Sequence, residues 1–298
     1  LSGVVSFRKM VVMFARDQYE LIDFGEGRKL ERFGGVLVDR PCPAAEGLAR
    51  SDSTGWADAD ARYGRAAGSE GAWHTERPIP EPWSVGHDSQ RLLLKPTPFG
   101  HVGVFPEQSP HWDWIADRVR RAGRAGSAVK VLNLFAYTGG STLAAAAAGA
   151  EVVHVDAAKN VVAWARHNAE LSGLADAPIR WIVEDAATFV RREVKRKNQY
   201  DAVILDPPSY GHGPKGEAWK IETDLMTLLE GCRELTKQSR AFMLLTCHSP
   251  TFGPAELEAA LAEAVFGHCG AGAAADEMTL DTADGRKLPS GVVARWPA

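Results

Sequence analysis

The stretch Val129–Asp156, VKVLNLFAYTGGSTLAAAAAGAEVVHVD, decides how the chain is read. An apolar run from Val129 to Phe135 meets a tight turn ending in Thr138-Gly139-Gly140. An Ala-rich segment follows, Gly149 stops it, and a second apolar run ends on Asp156. Strand, turn, helix, strand and acid within about 30 residues is the length of one βαβ unit. A turn that opens a helix offers free backbone N–H groups to a ligand. An acid at the tip of the second strand is placed to accept hydrogen bonds from a ribose diol. The stretch therefore reads as a cradle for an adenosine-containing cofactor.

Outward from the cradle, the pattern repeats. A helix is expected from about Ala158 to Leu171, a short strand at Ile179–Val183, and a helix at Thr188–Lys197. A strand buried on both faces follows at Tyr200–Leu205, then a long helix at about Trp219–Thr236. Ala241–Leu245 is a further strand, Pro254–Val265 a helix, and Met278–Leu280 with Val292–Trp296 a closing hairpin. Strands alternating with helices predict an α/β, Rossmann-like doubly wound sheet. Upstream, Pro110 opens a helix carrying Trp112, Trp114, Ile115 and Val119 at core spacing. Residues 1–95 read as a small antiparallel β domain and 96–298 as the cofactor-binding domain. Arg91–Lys95 and His101–Phe105 are expected as strands, and Gly25-Glu26-Gly27 and Gly34-Gly35 as hairpin turns.

Composition bounds the function. The 298 residues are 45% hydrophobic and 24% charged, ordinary for a globular chain. A net charge of −4 excludes a global basic field, so any nucleic-acid contact needs a local patch. Cys42, Cys232, Cys247 and Cys269 lack metal-ligand or disulfide-framework spacing, so no metal is expected. No apolar run reaches the ~18 residues of a membrane span, and no secretion signal opens the chain. That predicts a cytoplasmic protein with no membrane contact; Met10 and Met13 are candidate starts.

In an open parallel sheet, ligands bind beyond the carboxyl ends of the strands. Here those ends carry Phe135-Ala136-Tyr137, Asp156, Asp185, Asp206 and Cys247. A dinucleotide is disfavoured, because Phe135 and Tyr137 stand where a GxGxxG turn would place glycines for a pyrophosphate. The amino-acid tail of S-adenosylmethionine is less demanding. Its carboxylate suits the helix start at Thr138-Gly139 and the Gln108 amide, its ammonium the Asn133 side-chain oxygen. Asp156 suits the ribose, and Asp185-Ala186 the adenine amino group.

With VFPEQ (104–108), NLFAYTGG (133–140), VDAAKNVVAWARHNAELSGL (155–174), EDA (184–186), ILDPPSY (204–210) and LLTCHS (244–249), residues 96–298 resemble class I S-adenosylmethionine-dependent methyltransferases. More narrowly, they are similar to the bacterial family that modifies large-subunit ribosomal RNA, cytosine-5 enzymes included. The resemblance implies a seven-stranded sheet with its last strand antiparallel, S-adenosylmethionine as cofactor, and ribosomal RNA as partner. It adds Phe105 and Ala157 to the cofactor contacts, and Asp206 to both cofactor binding and catalysis. One departure is Ser109, where relatives usually carry an Arg.

Asp206-Pro207-Pro208 fits a substrate edge, since the prolines stiffen the turn and remove N–H donors; Tyr210 is placed to stack on an extruded base. Cys247 has two readings. By resemblance to the cytosine-5 enzymes it is a nucleophile that adds to carbon 6, with His248 or His212 as its base. Otherwise it is a buried small hydrophobe, and the acceptor is an exocyclic or ring nitrogen oriented by Asp206. Methylation of protein or a small molecule, and a non-catalytic RNA- or cofactor-binding module, are the alternative functions. The glycine-rich loop Pro207–Trp219 is expected to be flexible and to close over substrate.

Overall fold

The computed structural model describes residues 14–64, 71–123, 127–213, 216–268 and 272–298. Met10, Met13, Cys269 and the Pro214-Lys215 part of the glycine-rich loop lie outside the described residues.

The chain begins with a five-stranded sheet of order β1-β2-β3-β4-β5. Its strands are β1 (Tyr19–Gly25), β2 (Arg28–Phe33), β3 (Val36–Pro41), β4 (Ala61–Gly64) and β5 (Ala72–Thr75). Glu26 and Gly27 both take positive φ (54° and 69°), which matches the turn of a tight hairpin to the strand twist. The sheet is not purely antiparallel as expected. β3 and β4 pair in parallel through Val38 and Ala61, because the long connection between them returns the chain to the same end. β6 (Trp83–His87) and β7 (Gln90–Leu94) form a separate hairpin.

Inside the first sheet, Glu31 is fully buried. Arg40 Nε lies 2.5 Å away, Lys29 Nζ 3.1 Å, and the Tyr19 hydroxyl donates to it at 2.9 Å. Burial opposes its charge, but the Arg40 and Lys29 cations outweigh that and hold the carboxyl down at about 2.

The second half builds one seven-stranded sheet. Its elements are α1 (Ser109–Ala122), β8 (Lys130–Leu134), α2 (Gly140–Ala147), β9 (Glu151–Asp156), α3 (Lys159–Leu171), β10 (Ile179–Val183), α4 (Ala186–Lys195) and β11 (Ala202–Leu205). The short strands β12 (Tyr210–His212) and β13 (Ala218–Lys220) come next. α5 (Ile221–Leu235), β14 (Phe242–Cys247), α6 (Pro254–Phe266), β15 (Ala274–Asp281) and β16 (Lys287–Trp296) complete it. The sheet order is β10-β9-β8-β11-β14-β16-β15. The first five run parallel, and β16 inserts antiparallel between β14 and β15. The expected doubly wound sheet with an antiparallel last strand is what forms. The order reverses between β8 and β11, and there the crevice opens at the strands' carboxyl ends.

β8 shows how the sheet is buried: Val131 packs into one apolar layer, Leu132 and Leu134 into the other. Tight spacing of α2 against α1 needs Gly140, where an added Cβ would sit 2.4 Å from the Trp112 ring.

A further expectation is corrected. His101–Phe105 is not a strand; its backbone bonds back to the preceding turn, Lys95 N–H to Val102 O and Thr97 N–H to His101 O, both 3.0 Å. The β6–β7 hairpin packs on the second half. Leu93 N–H donates to Asn168 Oδ1 at 2.9 Å and Trp164 Nε1 to the Leu93 carbonyl at 3.1 Å, both from α3.

The buried cluster gives a stability test. Arg40→Ala leaves Glu31 without its closest cation and is expected to cost about 3–5 kcal/mol, read as a lower chemical-denaturation midpoint. Glu31→Gln combined with Arg40→Met should recover most of that loss.

Candidate cofactor cleft

The turn after β8 has an unusual backbone. Phe135 (φ 53°) and Tyr137 (φ 48°) both lie in the left-handed region, as does Gly139 (φ 95°). The chain does take the glycine-like path expected of a nucleotide turn, with aromatic residues on it. Asp156, at the end of β9, fastens the turn: its Oδ2 accepts from Tyr137 N–H at 2.9 Å and its Oδ1 from Ala158 N–H at 2.9 Å. Burial raises the Asp156 pKa; the two N–H donors oppose that only partly. Thr138 Oγ1 donates to Gly103 O at 2.7 Å, which ties the turn to the 101–105 segment.

Two cavities meet over this turn. One is lined by Asn133, Ala136, Thr138, Gly139 and the first residues of α2, Gly140 and Ser141. The other, about 340 Å³, is lined by Asp156, Ala157, Asp185 and Ala186, and its size suits a small ligand. Phe105, Phe135, Tyr137 and Asp206 border both, so the two cavities form one continuous cleft. α2 has no side-chain cap, so its first-turn N–H groups remain for an anion. Asn133 is buried and its Nδ2 donates to Thr142 Oγ1 at 2.9 Å, which leaves the amide oxygen for a cation. Asp185 caps α4, accepting from Thr188 N–H at 2.7 Å through Oδ1, with Oδ2 remaining.

This donor set fits S-adenosylmethionine. The α2 start would hold the carboxylate, the Asn133 oxygen the ammonium, Asp156 the ribose, and Asp185-Ala186 the adenine. Gln108 takes a different part from the one expected. Its Nε2 donates to Asp206 Oδ2 at 3.1 Å and Thr246 Oγ1 at 3.3 Å, so both amide hydrogens are used within the protein. Ser109, in place of the usual Arg, is fully buried and donates to Pro106 O at 2.9 Å.

The substrate-edge residues divide. Pro208 lines the cleft, Pro207 is buried beside it, and Tyr210 is 55% exposed on β12 with its hydroxyl 3.0 Å from His212 Nε2. Cys247 stands apart. It is fully buried on the face of β14 opposite Thr246, packed in the apolar layer with Leu257 and Leu261, and lines neither cavity. Burial raises its thiol pKa, which works against a thiolate. The glycine-rich loop is also less free than expected, since β12 and β13 pair as a hairpin. Trp219 of β13 is buried against Phe135 (centroids 5.0 Å), and its Nε1 donates to Pro208 O at 2.7 Å.

Trp219 and Thr246 were missed from sequence as partners of the site, and His248, expected as a base for Cys247, stands beside Asp206 instead. Thr246 Oγ1 donates to Asp206 Oδ1 at 2.5 Å, and His248 Nε2 lies 3.3 Å from the same oxygen. The signal available was their place beside motif residues, at the ends of β13 and β14.

The family model for S-adenosylmethionine-dependent methyltransferases matches residues 53–269. The chain belongs to that family. A crystal structure of the SAM-dependent methyltransferase from Agrobacterium tumefaciens is similar across nearly the whole chain. It shares 38% identity and a TM-score of 0.86 over 94% of this chain and 91% of that one. The likeness therefore reaches further forward than residues 96–298 and takes in the first sheet. Ribosomal RNA large subunit methyltransferase I of Aeromonas salmonicida is 31% identical over 141 residues, 47% of this chain and 34% of that protein. Ribosomal RNA large subunit methyltransferase K/L of Vibrio cholerae serotype O1 is 30% identical over 120 residues, 40% of this chain and 16% of that protein. The chain thus spans about a third or less of these curated relatives. Among the described residues, no helix is long and apolar enough to cross a membrane, and no cluster of three or more His, Cys, Asp or Glu could hold a metal.

Asp156→Ala removes both the ribose acceptor and the clamp on Tyr137. It is expected to weaken S-adenosylmethionine binding about 10- to 100-fold, the worth of a charged hydrogen bond, by titration calorimetry at unchanged far-ultraviolet dichroism.

Proposed function

We propose that this methyltransferase modifies a nitrogen on a base of large-subunit ribosomal RNA. The substrate class rests on the likeness to ribosomal RNA large subunit methyltransferases I and K/L. The observation that carries the site assignment is that Asp206 borders both halves of the cleft, at the junction between the tail and adenosine ends. A methyl group carried between those ends would meet Asp206-Pro207-Pro208. Tyr210, exposed at the rim, offers a ring on which an extruded base stacks.

S-adenosylmethionine, when bound, supplies an electrophilic methyl group. The chain's own residues align an acceptor and keep water out. Burial opposes the charge on Asp206, yet bonds from His248 and Thr246 outweigh it and hold the carboxyl below the usual range. Asp206 is therefore ionised at neutral pH, and it accepts a hydrogen bond from an amine rather than taking its proton. Its three protein donors use three of about four lone-pair positions and leave one for substrate. Cys247 supports a nitrogen acceptor over carbon 5: carbon-5 methylation needs a thiolate at the base, and this thiol is buried outside the cleft.

Nucleoside mass spectrometry of ribosomal RNA from a deletion strain should show loss of one N-methylated base, restored by the intact gene. An unchanged profile overturns the substrate class, and loss of 5-methylcytosine overturns the nitrogen assignment. Cys247→Ala should keep activity within about threefold, as expected of a small packing residue, in a tritiated methyl-transfer assay on protein-free ribosomal RNA.

A further inference from the structure

His248 directly follows β14, and its ring is held from two sides. Nε2 lies 3.3 Å from Asp206 Oδ1, and the Ser290 backbone accepts a second bond from the ring. β16 passes so close that a Cβ on Gly291 would sit 2.9 Å from His248 Nδ1. Gly291 also has φ 120°, so a side chain there would be strained as well as crowded. A carboxylate 3.3 Å from Nε2 favours the protonated ring, an imidazolium.

The charged and titratable groups around the ring agree with a cation. Asp206 is its hydrogen-bonded partner, and Glu107, on the turn before α1, contributes a second negative charge. Glu107 is 7% exposed, and its Oε2 is buried with no hydrogen-bond partner. His111 on α1 is neutral, since burial and then the nearby Arg295 push its pKa down to about 3.

We propose that His248 is the positioning residue of the methyl-transfer site, its imidazolium fixing the Asp206 carboxylate so that the one remaining acceptor position of Asp206 meets the substrate. This rests on the reading of Asp206 as the acceptor edge. It gives His248 a task different from a base: as an imidazolium, protonated on both nitrogens, the ring has no lone pair for a thiol or an amine. Asp206 then receives donors from three elements, Gln108 before α1, Thr246 in β14 and His248 after it. Only the His248 bond carries a charge that pH can remove.

The sign follows from the His248 pKa, which Asp206 raises to about 9 although burial opposes it. The stabilisation is fully present below the unfolded value of about 6.5 and is lost as pH rises through the folded value. Catalysis should likewise fall on the alkaline side.

Imidazole proton resonances of the full chain, titrated by NMR, test the pair without any acceptor. A His248 midpoint near 9 is expected, with the signal assigned by its absence in His248→Gln or His248→Asn. A midpoint near 6.5 overturns the proposal. In single-turnover and steady-state assays on protein-free ribosomal RNA, His248→Gln should lower kcat about 10- to 100-fold, the worth of one charge-assisted bond. KM for RNA and calorimetric affinity for S-adenosylmethionine should change little, and the alkaline limb should disappear. Parental kcat, or an alkaline limb that persists in the variant, overturns the proposal. If neither variant folds, the parent's titration, assigned by proximity to Asp206→Asn shifts, decides alone. If the parent methylates no ribosomal RNA, the substrate reading fails while the NMR result still stands for or against the pair.

Discussion

The cleft depends on one strained turn. Phe135 and Tyr137 occupy left-handed backbone that side-chain-bearing residues adopt at a cost of about 1–3 kcal/mol each. Three sets of contacts hold them there. The Asp156 carboxylate takes the Tyr137 N–H, Trp219 packs on the Phe135 ring, and the Tyr137 ring lies between Phe105 (5.3 Å) and Trp164 (6.4 Å). Glycine would take this backbone freely, but it would leave those rings with nothing to pack against. The aromatic residues make the turn a wall of the cleft as well as its floor. Both cavities border on them for that reason.

The first sheet is tied into the same arrangement. The Tyr63 hydroxyl of β4 donates to Pro98 O at 2.6 Å, and Trp73 Nε1 of β5 donates to Thr97 O at 2.7 Å. Their rings pack edge to face at 5.3 Å. Gly100 (φ 80°) sits where a Cβ would lie 2.8 Å from the Tyr63 ring, so the loop lies flat on it. That loop leads to His101, which lines the Asp156 side of the cleft, and to Gly103, which holds Thr138. The front sheet thus fixes the segment that closes one side of the cofactor turn.

The sequence pattern carried the second half almost entirely, because a βαβ repeat writes itself in alternating apolar runs, glycines and strand-end acids. Asp156, Asp185 and Asp206 could be placed because each ends a strand, and a strand end in such a sheet has one possible location. What could not be read were contacts made across long separations. Gln108 reaches Asp206 from 98 residues away and Thr246 from 138, and no local pattern predicts that its amide is already engaged. Cys247 shows the limit most sharply. Its position at a strand end was legible, but the face it takes follows from the two-residue alternation along β14, which sends Thr246 to the cleft and Cys247 to the core. A one-residue difference in register would exchange them. The parallel pairing of β3 with β4 and the burial of Trp219 were hidden for a similar reason, since both are set by where the intervening chain returns.

Two carboxylates in one cleft illustrate how environment divides labour among like residues. Asp156 is partly buried with only two backbone N–H donors, and desolvation outweighs them, so its charged form is under-supplied until further donors arrive. A ribose diol, in the proposed cofactor placement, would bring two hydroxyls to that site. Asp206 is also only partly buried but has Gln108, Thr246 and a cationic imidazole, and there the donors win. The first carboxylate gains from a ligand; the second has little left to gain, and what it offers is a fixed direction. A site that binds at Asp156 and orients at Asp206 separates affinity for the donor from alignment of the acceptor. That separation is what differential stabilisation of a transition state requires, because tight binding alone does not lower the barrier.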